Sequence, residues 1–213
     1  MNIVVRTLSE QVYEVVRRQI LTGKMAPGAP VRQDTIALEL GVSKIPLREA
    51  LNRLEQDGLL SSYPNRGYVV RPITADEASE VFELRLKLEP AASAEACLKA
   101  TPEQRAAAKQ ALAALEAALR QDDAEHVTQN RAFHMTLVQP CGLITRQLIE
   151  RLHILAERYV RVHLEPFGRD DRAINEHRAM LQAWVKADAA EVERLQTEHI
   201  AATLQDLRQQ LAA

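Results

Sequence analysis

GVSKIPLREALNRLEQDGLL, residues 41–60, decides how the rest of the chain is read. Ser43 is a favoured N-cap residue, and Pro46 falls in the first turn, where its missing N–H costs little. Leu47, Ala50, Leu51 and Leu54 recur at i, i+3, i+4 and i+7, the apolar face of one helix. Lys44, Arg48 and Asn52 run at i, i+4 and i+8 along the flank, which leaves that flank free to meet something outside. Gly58 is able to leave the helix in a left-handed conformation. A short helix that packs by one face and offers Ser, Lys, Arg and Asn from the other suits the DNA major groove. Any surface helix carries charges beside an apolar face, so the flanking sequence has to decide.

Upstream, residues 8–22 read as a first helix, with Val12, Val15, Val16, Gln19 and Ile20 at the helical period. GKMAPGAP breaks it with two glycines and two prolines. Residues 31–40 are expected to form a second, short helix with Ile36, Ala37 and Leu40 inward. Gly41 makes the turn into the third, which gives a helix-turn-helix. Downstream, LLSSYPNRGYVVRPI reads as a hairpin: Leu60, Tyr63, Tyr68, Val69 and Val70 are strand formers, and Pro64-Asn65-Arg66-Gly67 is turn chemistry. Arg66 beside a glycine lets a backbone approach a phosphate or the minor groove. Standing alone it would fit a plain solvated turn equally well; behind a helix-turn-helix it reads as a wing.

The 213 residues allow one large or two small domains, and the scarcity of Gly with abundant Ala, Leu, Glu, Gln and Arg favours helix nearly throughout. The formal charge of −2 is unevenly spread. Residues 1–72 carry 10 Lys+Arg against 7 Asp+Glu, and residues 73–213 carry 17 against 22, so a basic head (+3) precedes an acidic body (−5). That asymmetry fits a nucleic-acid module, residues 1–72, joined to a separate partner domain, residues 73–213. Cys97 and Cys141 form no CxxC or secreted framework and are expected to be free thiols in a reducing compartment. No signal peptide and no apolar run of bilayer length is visible, so the expected location is cytoplasmic, with no membrane partner.

Residues 8–72 resemble the winged helix-turn-helix of GntR-family bacterial transcription regulators. The likeness rests on Leu40-Gly41-Val42-Ser43-Lys44-Ile45-Pro46-Leu47-Arg48-Glu49-Ala50-Leu51, on Leu54, on Asp57-Gly58-Leu59 and on Pro64-Asn65-Arg66-Gly67. The resemblance implies DNA contacts from Ser43, Lys44 and Arg48 on the recognition helix, and from Arg66 and Gly67 on the wing. Lys44 stands where the family usually has Arg; it reaches a phosphate but lacks the bidentate fork for guanine. Glu49 is expected, on the same likeness, to partner a buried arginine rather than to touch DNA.

From Thr74 onward the chain reads as six helices with short links, an antiparallel bundle. Thr74 with Glu77 forms a capping box; a long helix follows to about Leu98, with Pro90 inside it as an expected kink. Thr101-Pro102-Glu103-Gln104 starts another. Asp122 or Asp123 caps a third, which ends before Pro140-Cys141-Gly142. Residues 143–164 make a fourth, interrupted by Glu165-Pro166-Phe167-Gly168. Residues 171–186 make a fifth, and Asp188 caps a sixth. The fold class is therefore mainly α: an N-terminal winged helix-turn-helix plus a C-terminal antiparallel six-helix bundle.

Six histidines lie in this second half: His126, His134, His153, His163, His177 and His199. Spacing alone makes no strong metal motif, and a lone histidine in a bundle is usually structure or surface. Asn130 and His134, however, fall at i, i+4 on one helical face. His177 and His199 lie on the fifth and sixth helices, so three helices can converge on one point of the core. Arg85 sits on the inner side of the long helix, expected beside Leu84 and Leu88. A buried Arg needs an anion or strong acceptors, supplied either by a ligand or by an internal acid such as Glu89.

Residues 76–203 resemble the FCD ligand-binding domain of the FadR-like branch, through ELRLKLEP, NRAFH, NEHRAML and the closing His199. The resemblance implies a divalent metal, zinc or nickel, held by Asn130, His134, His177 and His199, with Arg85 facing the carboxylate of a small organic acid effector. Asn130 departs from the pattern, because the best-known metal-binding members carry Asp there. A neutral amide replaces a charged ligand, and metal affinity should fall unless an anion supplies the charge. His126, one turn further back, is a possible stand-in. His153, His163 and Arg158 are read as structure or surface.

These readings together lead to an expected DNA-binding transcription regulator, a repressor and homodimer on a pseudo-palindromic operator in double-stranded DNA, controlled by the acid. The opposing class is a metal-dependent hydrolase, since three histidines with an open position activate water; no general base, nucleophile or HExxH motif accompanies them. A bundle that merely binds metal would leave the winged head unexplained.

Overall fold

The structure, a computed structural model, describes residues 6–120, 125–164 and 169–212. Two compact units divide it, Met1–Pro72 and Ile73–Ala213.

The first unit contains α1 (Leu8–Leu21), α2 (Gln33–Leu40), α3 (Lys44–Gln56), β1 (Leu60–Tyr63) and β2 (Gly67–Val70). Thr7 and Glu10 close a reciprocal capping box at the start of α1. The buried face of α1 is Val12, Tyr13, Val16, Arg17, Ile20 and Leu21. Val15 is exposed and Gln19 half-buried, so the apolar stripe is rotated from the expected one. Long-range partners cause the rotation: Tyr13 donates its hydroxyl to Asp57 Oδ2 at 2.6 Å, and the Arg53 guanidinium lies 4.3 Å over its ring.

Helix α2 begins at Gln33, two residues later than the sequence suggests. Val31 is taken by the hairpin instead: its N–H donates to the Tyr68 carbonyl at 2.8 Å, and Pro30 faces Val69 across a β-bridge. Ile36 is buried, while Ala37 and Leu40 are half-buried. Gly41, at φ 63°, carries the left-handed turn into α3.

Helix α3 packs by Leu47, Ala50, Leu51 and Leu54, each at most 1 % exposed. Burial of a Leu side chain contributes about 1.5–3 kcal/mol, so this face anchors the unit. Ser43 holds the N-cap backbone conformation, but its hydroxyl makes no capping hydrogen bond, contrary to expectation. The hairpin pairs Leu60 with Val70 and Tyr63 with Gly67. Two side-chain bonds fasten it to α3: the Tyr68 hydroxyl to Asn52 Oδ1, and the Ser62 N–H to Glu55 Oε1 at 2.8 Å.

The second unit is mainly helical: α4 (Ala75–Lys99), α5 (Pro102–Leu119), α6 (Glu125–Leu137), α7 (Leu143–Leu164), α8 (Arg169–Val185) and α9 (Ala189–Leu211). Thr101 and Gln104 form a full capping box with Pro102 at the first position, and Asp188 accepts from the Glu191 N–H at 3.2 Å. Thr74 also caps α4. Glu77, expected to complete a box there, turns its carboxylate to Arg158 Nη2 at 3.0 Å and the Tyr159 hydroxyl at 3.1 Å. Helix α4 continues through Pro90. The expected cap at Asp122 or Asp123, and the expected break at 165–168, lie outside the described residues.

Among the described residues a small apolar cluster gathers Ala92, Val138 and Ile149, and two larger ones frame the site. One gathers Ala94, Cys97, Leu112, Leu115, Phe133, Leu137, Met180 and Val192 around Trp184, whose Nε1–H donates to the Leu137 carbonyl at 3.0 Å. The other gathers Ala78, Val81, Phe82, Ala156, Tyr159, Ile200, Leu204 and Leu207. Between them along α4 stand Arg85 and Glu89, and between them along α9 stand Gln196 and His199, all buried. A polar layer is thus sandwiched inside an apolar bundle. Among the described residues no helix is long and apolar enough to cross a membrane, and both cysteines are free thiols.

Candidate nucleic-acid interface and candidate metal centre

With α3 packed by its leucines, the opposite side is left to water. Ser43, Lys44, Arg48 and Asn52 are exposed, and Lys44, Ile45, Arg48, Glu49 and Asn52 line a shallow hollow of about 360 Å³. Lys44 Nζ pairs with Asp34 at 2.7 Å, both side chains being well exposed, so the pair adds little stability and yields readily to a phosphate. Glu49 is exposed in the same hollow; the expected buried arginine partnership is not there. Arginine is buried in this unit at Arg17 instead, on α1. Arg66 is exposed at the hairpin tip, and Gly67 takes φ 70°, a conformation that a side chain would strain. Ile45 escapes a reading based on charge. It is 72 % exposed between Lys44 and Arg48, where an apolar group in a major groove meets thymine methyls.

In the helical unit, the sequence-expected ligands come together. Asn130 and His134 from α6, His177 from α8 and His199 from α9 are buried and line one cavity of about 20 Å³ with Arg85. His134, His177 and His199 each present a ring nitrogen within 4.8 Å of the other two. Ring centroids lie 5.0 Å apart for His134 and His177, 4.7 Å for His177 and His199, and 5.4 Å for His134 and His199. His126 does not line this cavity.

These residues fit a divalent metal. Both ring nitrogens of His177 and Nε2 of His134 are buried without a hydrogen-bond partner, a costly state for a polar atom unless something binds there. Burial first, then the neighbouring imidazoles, hold the pKa values of His134 and His177 well below the histidine range, which favours the neutral form that ligates metal. His199 Nδ1 lies 2.6 Å from Glu176 Oε2, the carboxylate–imidazole contact that fixes a ligand's ring and tautomer. Volume is the limit: about 20 Å³ admits a single ion or water, since one water needs roughly 10–15 Å³ by this measure.

Arg85 is buried, its guanidinium 4.9 Å over the Phe82 ring and bonded to Glu89; the neighbours expected from the sequence, Leu84 and Leu88, are 39 % and 37 % exposed. Its Nε reaches Glu89 Oε1 at 2.6 Å and its Nη2 reaches Glu89 Oε2 at 3.2 Å. Burial would raise the Glu89 pKa, but Arg85 and then His153 outweigh it and hold the carboxyl well below the usual range. Of the two partners open to Arg85, the internal acid is therefore in place, while Arg85 also lines the cavity.

Three further residues belong to this layer. His153 on α7 is 2 % exposed, with Nε2 3.2 Å from Glu89 Oε2, and makes a second buried group with Glu89 and His134. Gln196 donates from Nε2 to Glu89 Oε2 at 3.3 Å and lies 3.4 Å from His134 Nδ1. Its helical spacing from His199 put it on the right face, and Ile149, His153 and Ala156 share a helical stripe. Glu176 carried no such signal, because it serves a histidine on another helix.

Comparison with known proteins shows the family and the fold. Residues 8–70 match the family described as bacterial regulatory proteins, gntR family, and residues 80–202 match the FCD domain. The HTH-type transcriptional repressor RspR of Escherichia coli (strain K12) is 27 % identical over 207 residues, 95 % of this chain and 90 % of that one. The uncharacterized HTH-type transcriptional regulator YdhC of Bacillus subtilis (strain 168) is 31 % identical over 130 residues, which span 60 % of this chain and 58 % of that one. Among solved structures, E. coli McbR/YncC superposes with a TM-score of 0.79 at 26 % identity, covering 97 % of this chain and 99 % of that chain.

Proposed function

This chain belongs to the GntR family of bacterial regulatory proteins, with an FCD domain over more than half its length, and on that premise we propose that it is a ligand-responsive repressor binding a pseudo-palindromic operator as a homodimer. The relatives named above are transcriptional regulators, one of them a repressor, which supports regulation over turnover. Two recognition helices related by a two-fold axis would enter successive major grooves. Arg48 and Ile45 read base edges, while Lys44 and Arg66 hold phosphates, so affinity falls with salt.

The helical unit is the sensor in this reading. The observation that carries it is the buried cavity shared by His134, His177, His199, Asn130 and Arg85, with Glu89 bonded to Arg85. A divalent metal there, zinc or nickel, would supply positive charge to a carboxylate. His134, His177 and His199 would hold that ion, Glu176 would orient His199, and Arg85 would flank the incoming anion. The acid alters operator affinity only by the difference in its own affinity for the DNA-competent and incompetent states. Release of DNA on effector binding is the sense proposed.

The test is a gel-shift titration of genomic fragments at low salt, with and without zinc or nickel and a panel of small organic acids. Selective retention of one fragment, weakened by one acid only when metal is present, is the result expected. Protein that retains no fragment under any of these conditions ends the proposal.

A further inference from the structure

Among the described residues, no ion pair or hydrogen bond holds the carboxylate of Glu49 on α3. The helix buries Leu47, Ala50, Leu51 and Leu54, so Glu49 lies on the side left to water, in the shallow hollow with Lys44, Ile45, Arg48 and Asn52. Neighbouring acids do have partners. Asp34 pairs with Lys44 at 2.7 Å, Glu55 accepts from the Ser62 N–H at 2.8 Å, and Asp57 accepts from the Tyr13 hydroxyl at 2.6 Å. Asn52, the amide of the hollow, is already bound by the Tyr68 hydroxyl. Lys44, Ile45, Arg48 and Glu49 all belong to the N-terminal half of α3, the part of a recognition helix that reaches base edges.

A lone carboxylate on a surface that meets a polyanion weakens binding unless something in the groove donates to it. The major groove offers two kinds of donor, cytosine N4 and adenine N6. Adenine sets the acceptor N7 beside its donor, so a carboxylate that approaches N6 also meets a repelling lone pair. Cytosine carries no acceptor on that edge. We propose that Glu49 is a specificity-determining residue of the head, its carboxylate accepting a hydrogen bond from N4 of a cytosine in each operator half-site. The proposal rests on the operator-binding reading given above and adds one base to what the head reads. Glu49 selects by rejection as well as by contact. Opposite thymine O4, or guanine O6 and N7, its charge meets only acceptors and stays unpaired. Arg48, the next residue back, suits those same guanine acceptors, so a cation and an acid at successive positions make opposite demands on the groove.

The experiment is a selection of binding sites from a random duplex library, run without organic acid on the full chain as wild type, Glu49→Ala and Glu49→Gln, with the enriched fragments sequenced. In wild type, one position of each half-site is expected to favour C·G about tenfold over the other pairs. Glu49→Ala should lose that preference. Glu49→Gln should move it to A·T, because an amide pairs with adenine N6 and N7, and the remaining positions should stay as they were. Circular-dichroism melts check that both substitutions, at an exposed position, leave the fold intact. Identical base preferences in all three proteins overturn the proposal. So does a uniform rise in affinity for every fragment once the carboxylate is gone, which would make Glu49 a repeller of phosphates and nothing more. A wild type that enriches no sequence at all ends the operator-binding reading and takes the proposal with it, an outcome distinct from the first two.

Discussion

His177 shows most directly what the buried layer asks for. Its ring is 2 % exposed, both nitrogens lack hydrogen-bond partners, and the Phe133 ring lies 5.1 Å away. A neutral imidazole held this way forfeits roughly 1–3 kcal/mol per unsatisfied group, which a metal ligated there would recover. His177→Ala and His134→Ala should each reduce bound zinc or nickel per chain to near zero by elemental analysis; unchanged metal content would remove that residue from the site. Arg85 behaves differently. Removing it takes the guanidinium from a buried Glu89 and leaves that carboxylate to His153 and Gln196, so Arg85→Ala should cost about 3–5 kcal/mol in denaturant unfolding. An effect under about 1 kcal/mol would mean that His153 and Gln196 satisfy Glu89 without the guanidinium. In the head, Arg48 is exposed on α3 beside Ile45. Arg48→Ala should abolish sequence preference in a gel shift with the circular-dichroism melt unchanged, whereas Ile45→Ala should relax discrimination at one base pair by about 1 kcal/mol.

Elements differ in how openly the sequence declares them. Helix α3 could be read directly, because four apolar positions fit one period and all four are buried. The hairpin was legible from Pro64-Asn65-Arg66-Gly67, whose left-handed positions are Asn65 and Gly67. The face of α1 was not: Tyr13 and Arg17 are amphipathic, and the burial of Tyr13 depends on Asp57, 44 residues away. The start of α2 depended likewise on a strand contact from Val31 that no local pattern encodes. In the polar layer, local helix context brought out His134, His177 and His199. Glu176 and His153 owe their place to partners on other helices. Between recognition helix and wing, the bond from Tyr68 to Asn52 is the sort of tie that sequence hides. Tyr68→Phe should weaken operator binding severalfold, by about 1 kcal/mol, while shifting the melt little; unaltered binding would show that the wing is positioned by its backbone alone.

At the scale of the whole molecule, the buried histidines make stability depend on pH. Burial holds His163 down to about 4, and His134 and His177 are lowered in the same sense. Unfolding raises each toward its ordinary value, so between about 6.5 and 4 the unfolded chain binds more protons than the folded one. Their stabilisation is therefore complete above pH 6.5 and is lost as pH falls toward 4, about 3 kcal/mol for His163 alone. Glu89 and Glu176, both lowered, extend the loss at more acid pH. Melts of the metal-free protein in chelator should drop steeply over that interval, and a midpoint flat from pH 7 to 4.5 would contradict the neutral, buried state of these rings.

The chain has a single tryptophan, Trp184, fully buried in the helical unit with its indole N–H bound to the Leu137 carbonyl. The head carries only tyrosines, at positions 13, 63 and 68. Fluorescence excited at the red edge, where phenols no longer absorb, therefore comes from the helical half alone. Followed beside a signal to which every helix contributes, that emission separates the unfolding of the two halves in one cuvette, and no dye need be attached.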